Sequence, residues 1–153
     1  MRPYVEADFN QCVAIVKEVW DFDSIFKNAK MSQLLAEAYT GQAISESNFA
    51  CVDENEEGVI GFIFGRSSDS KEFYHQYGGL FGQFRFAIKF IFSAGGSLSA
   101  CIKLISAMKA HERNRKIVLV NREHEVNLFC VSRKKQGKGT GKILMNSFLY
   151  DCR

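Results

Sequence analysis

The chain has 153 residues, 46% of them hydrophobic, and a formal net charge of +3 at neutral pH, enough for one domain with a real core. A charge this small, with no basic tail, gives no electrostatic argument for a nucleic-acid partner. Five cysteines (Cys12, Cys51, Cys101, Cys130, Cys152) are odd in number and lack CxxC or metal-ligand spacing, which argues for a reducing, cytoplasmic setting.

The N-terminal residues Arg2-Pro3-Tyr4-Val5-Glu6-Ala7-Asp8 are too polar for a signal peptide, and Arg2 to Val5 suit a short first strand. Phe9, Cys12, Val13, Val16 and Trp20 then recur at helical spacing on one face. Met31, Leu34, Leu35 and Ala38 repeat that pattern in a second helix, expected to stop near Gly41. Phe49 to Val52 and Val59 to Phe64 read as two strands joined by the acidic turn Asp53 to Gly58.

About 60 residues, Ser67 to Val126, follow before the next clear strand. Phe81, Phe84, Phe86, Phe90 and Phe92 alternate with Arg85 and Lys89, and Gly95-Gly96 separates them from Leu98, Cys101, Ile102, Leu104, Ile105 and Met108. Two helices joined at the glycines are expected, while Ile117 to Val120 suits either a strand or the tail of the second helix. The run Phe86 to Phe92 is too short to span a membrane and carries Lys89. An aromatic face of this kind needs covering, by acceptor substrate or by a second copy of the chain in a homodimer. His75, His111 and His124 have no ligand spacing and read as surface residues.

An apolar strand, Val126 to Val131, then enters the loop Ser132-Arg133-Lys134-Lys135-Gln136-Gly137-Lys138-Gly139-Thr140-Gly141-Lys142, and a helix opens at Ile143. Alternate glycines let successive N–H groups converge, and the helix adds its own unpaired N–H groups and positive dipole end. With Arg133, Lys134, Lys135, Lys138 and Lys142 around it, the loop suits a phosphate or pyrophosphate. A P-loop is excluded, because Gln136 stands where its first glycine belongs and Ile143 where its hydroxyl belongs. The dinucleotide fingerprint is excluded by GxGxG spacing in place of GxGxxG.

Gln136, Gly139 and Gly141, with Gly137, resemble the acyl-CoA motif Q/R-x-x-G-x-G/A of the GNAT N-acyltransferase superfamily, between a fitting strand and helix start. The β-α-α-β-β order of the first 64 residues is also that of a GNAT opening. The resemblance implies an α/β (α+β) fold: a central, mostly antiparallel sheet flanked by helices, here in one domain with a helical hairpin inserted at about 67–122. It implies that the family's C-terminal strands and helix, and its leaving-group tyrosine, lie beyond Arg153, in a longer protein or a partner chain. Tyr150 comes too early to be that tyrosine.

The resemblance also implies the chemistry: acetyl transfer from acetyl-CoA to a primary amine, without a metal. Backbone groups at Phe129, Cys130 and Val131 would meet the pantetheine arm. The amides of Gly137, Lys138, Gly139, Thr140, Gly141 and Lys142 would meet the pyrophosphate. Glu125, eleven residues before Gln136, matches the strand glutamate that serves as general base in the histone-acetyltransferase branch; many relatives use a water chain instead. Glu123 would share its face. Cys130 reads as a core thiol rather than a nucleophile, since nothing local would lower its pKa. Two rival readings are a non-catalytic CoA-binding or interaction module and, more weakly, a nucleic-acid-binding domain using the Phe/Lys insert; no recognisable RNA or DNA motif accompanies the latter.

Overall fold

The computed structural model describes residues 1–25, 28–67 and 124–152. Their strands form one antiparallel sheet in the order β1 (Arg2–Pro3), β2 (Phe49–Asn55), β3 (Gly58–Arg66), β4 (Glu125–Val131). Strand β1 is shorter than the sequence suggests, because the chain turns at Val5 into a 3-10 turn over Glu6–Asp8.

Helix α1 (Phe9–Val19) buries Cys12, Val13 and Val16 of the face read from the periodicity, and Ile15 besides, while Phe9 and Trp20 are partly buried. A short helix not evident in the sequence, α2 (Phe22–Ile25), follows. Helix α3 (Ala29–Ser45) is capped by the Asn28 side chain, which accepts from the N–H groups of Lys30 and Met31. It runs through Gly41 rather than stopping there. Thr40, Gly41, Ala43 and Ile44 are all buried, and that packing outweighs the roughly 1 kcal/mol cost of a helical glycine.

The β2–β3 turn is only Glu56-Glu57, between paired Asn55 and Gly58, and so is tighter than the sequence suggests. Asn55 Oδ1 accepts from Glu57 N at 2.9 Å, and Gly58 takes φ +110°, a conformation open to glycine. The pairing of Arg66 with Glu125 means that β3 leaves and β4 returns at the same end of the sheet. Of the insert expected at about 67–122, all but Ser67, including its aromatic face, lies outside the described residues, as does Glu123.

Side-chain alternation divides the core in two. Val52, Phe62, Phe64, Leu128 and Cys130 pack under α1 and α3. On the other face Cys51 and Ile63 meet Leu144 and Phe148 of helix α4 (Thr140–Asp151). No helix among the described residues is long and apolar enough to cross a membrane.

The N-terminal end is held by charge. Arg2 donates to both Asp8 oxygens, at 2.7 and 2.8 Å, and to Glu54 at 2.8 Å. These hydrogen bonds from Arg2, with one from Val5 N, hold the Asp8 carboxyl below its usual range. A depressed carboxyl contributes stability above the unfolded-state value, about pH 4, and loses it as pH falls through the folded value. We therefore expect denaturant unfolding to show Asp8→Asn less stable than the parent at neutral pH, with the gap closing below pH 4. A gap independent of pH would mean that the ion pair carries none of it.

Candidate functional site

At the end of β4, the Ser132 N–H donates to the carbonyl of Ile60 at 2.9 Å. Ile60 is the residue that the β2–β3 register shift leaves unpaired, so a bulge in one strand anchors the start of the loop. Arg133–Lys135 then form a 3-10 turn. Of the five cations expected around the glycines, two are ties to the fold. Arg133 reaches the carbonyl of Val19 at the end of α1 at 3.3 Å. Lys135 pairs with Glu57 of the β2–β3 turn at 2.8 Å and holds that carboxyl below its usual range. Lys134, Lys138 and Lys142 are exposed. Gln136 turns back, donating from Nε2 to the carbonyl of Val131 at 2.9 Å.

The glycines divide the work. Gly137 and Gly139 have φ of +74° and +91°, and a Cβ on either would meet nothing within 4 Å. Glycine is needed there for backbone conformation, and the space in front is open. Gly141 is different: its Cβ would lie 3.2 Å from the Phe129 ring, so it serves close packing of α4 on β4. The helix begins at Thr140, three residues before the expected start at Ile143, so Gly141 and Lys142 belong to its first turn. Gly139 is its N-cap and lends no side chain to the helix end. The backbone N–H groups from Gly137 to Lys142 consequently have no acceptor among the described residues.

Gly61, inside the apolar run of β3, makes this approach of helix to sheet possible. Its Cβ would stand 3.2 Å from both Thr140 and Leu144 and 3.1 Å from the Cys130 carbonyl. Sequence reasoning missed Gly61 as a site-building residue, though an isolated glycine within a strand run is a signal of close approach. Glu57 carries no such signal, because only the fold brings it to Lys135.

The expected strand residues separate by face. Phe129 lies towards α4 and is 37% exposed, whereas Cys130 is buried under α1 and α3. Burial pushes the Cys130 thiol up to about 11, far from thiolate at neutral pH. Cys12 and Cys51 are likewise pushed up by burial. The described cysteines (Cys12, Cys51, Cys130, Cys152) form no disulfide, and no metal-holding group of His, Cys, Asp or Glu occurs among the described residues.

Glu125, half-buried, opens β4 opposite Arg66. Six residue steps separate it from Val131, roughly 20 Å of strand, so the structure does not bring it to the glycine loop. β4 is the edge of the described sheet. No protein family, curated protein or solved structure matches this chain.

Proposed function

We propose that the chain is a GNAT-type N-acetyltransferase moving the acetyl group of acetyl-CoA directly to a primary amine. The observation that carries this reading is the row of acceptorless N–H groups from Gly137 to Lys142, at the start of a helix and beside exposed Lys138 and Lys142. Together they suit a pyrophosphate. From there the outer edge of β4 offers the backbone groups of Phe129 and the N–H of Val131 to the amides of a pantetheine arm; Cys130 turns its backbone to Phe62 of β3, and the Val131 carbonyl is taken by Gln136. Such an arm is roughly 15 Å long when extended, by standard bond lengths, which leads its thioester towards the Glu125 end.

In this scheme Glu125 takes a proton from the acceptor ammonium, directly or through a water. The freed amine adds to the thioester carbonyl, the carbon–sulfur bond breaks, and the extra proton left on the adduct nitrogen passes, directly or through a water, to the departing sulfur, giving the amide and CoA thiol. Direct transfer suits the thiols, since Cys12, Cys51 and Cys130 are all buried with raised pKa and poorly placed to carry an acyl group.

The binding step is tested at Gly139. A β-branched residue cannot relax at φ +91°, which costs about 1–3 kcal/mol, and its methyls would fill the open space before the N–H row. Calorimetry should show Gly139→Val binding CoA roughly 10- to 100-fold more weakly, with a melting transition that stays cooperative but shifts down by the strain at φ +91°. Unchanged affinity would refute the site.

A further inference from the structure

β4 is not a regular strand. Phe64 pairs with Leu128 and Gly65 with Val126, so the register shifts by one residue at Asn127. This bulge changes which face each neighbour occupies. Leu128 is buried with Phe64 under α1 and α3. A Cβ on Gly65 would point at Phe148 of α4, so Val126, opposite Gly65, lies on the α4 side. Glu125, opposite Arg66, therefore returns to the side of α1 and α3. Without the bulge, strict alternation from Leu128 would turn Glu125 to the α4 side.

The bulge is fastened by its own side chain. Asn127 Nδ2 donates to the Glu46 carbonyl at 3.0 Å and to Ser47 Oγ at 2.8 Å, at the C-terminal end of α3, where helix carbonyls lack partners. Ser47 is fully buried and gives its own proton to the Ala43 carbonyl at 2.7 Å. Its oxygen is thus a fixed acceptor for the asparagine. Ala, Val or Leu at this position offers nothing to these acceptors.

We propose that Asn127 is a positioning residue. By locking the bulge to α3 it sets the sheet face on which Glu125 stands, and hence the line along which that carboxylate reaches an acceptor amine. This rests on the acetyltransferase reading and extends it to a residue that need not touch substrate.

Asn127→Val removes the donors and favours a regular strand. Backbone NMR should show the contacts of Glu125 with Arg66 and of Val126 with Gly65 giving way to Val126 opposite Arg66. The turnover number should fall about as far as in Glu125→Gln, roughly a hundredfold, because the carboxylate is turned to the other face, with calorimetric affinity for acetyl-CoA unchanged. Adding Asn127→Val to Glu125→Gln should cost no more than about a further twofold, because both act through one carboxylate. Asn127→Ser, which keeps a shorter hydroxyl, is the second variant should the first not fold, with the same expected non-additivity. An unchanged strand register, or losses that multiply with those of Glu125→Gln, would overturn the proposal. A parent protein that transfers acetyl to no amine overturns instead the acetyltransferase reading, and the catalytic role of Asn127 with it.

Discussion

Glu125→Gln is expected to slow acetyl transfer roughly a hundredfold or more, the usual range for a lost general base. An acceptor amine with a pKa near that of lysine, about 10.4, is almost wholly protonated at neutral pH and must lose its proton before it attacks. Glutamine keeps the length and hydrogen-bonding shape of the side chain but has no basic oxygen. Affinity for acetyl-CoA should not change, since the Gly137–Lys142 amides lie at the other end of β4 from Glu125. The measurement is a rate-versus-pH profile of parent and variant with an accepted amine, beside calorimetry with CoA. A variant that keeps the parent's rate and its alkaline rise would make Glu125 a surface acid and assign the proton to a water chain. If neither protein acetylates any amine in a broad panel while both bind CoA, the chain is a binding module.

Phe148→Ala should cost about 3–5 kcal/mol of unfolding free energy, the range for removing a buried phenylalanine. Its side chain is 4% exposed, meets the Phe49 ring edge-on at 5.4 Å and shares the smaller core with Cys51, Ile63 and Leu144. The ring occupies space that only glycine leaves: a Cβ on Gly65 would lie 2.6 Å from Phe148 Cε2 and 2.9 Å from the Glu125 carbonyl. Relaxation into the cavity is limited, because the sheet beneath is held by strand pairing on both sides of Gly65. Helix α4 presents the N–H row of the candidate site, so this variant should also weaken CoA binding even though Phe148 is two helical turns from Thr140. Urea unfolding gives the first quantity and calorimetry the second. A loss under about 1 kcal/mol would show that α4 does not depend on this packing.

Much of the architecture was legible in the sequence because it rests on periodicity and turn chemistry. Cys12, Val13 and Val16 at helical spacing announced α1, and the apolar runs around Cys51 and Ile63 announced the hairpin. The glycines at 137, 139 and 141, set between a strand and a helical pattern, located the candidate site. Two glycines there need positive φ, a local property, and a local property can be read locally. What only the tertiary structure decided is long-range. Gly41 reads as a helix stop, yet burial against the sheet carries α3 past it to Ser45. Arg133 and Lys135 read as ligand cations, yet Val19 and Glu57, distant in sequence, claim them. Asn127 reads as one polar residue in an apolar strand. Its role in turning Glu125 to the other face follows from a register shift against β3 and from acceptors at the end of α3. Sequence spacing encodes which residues share a face of one element, whereas partners across elements exist only once the packing of helix on sheet has set the register.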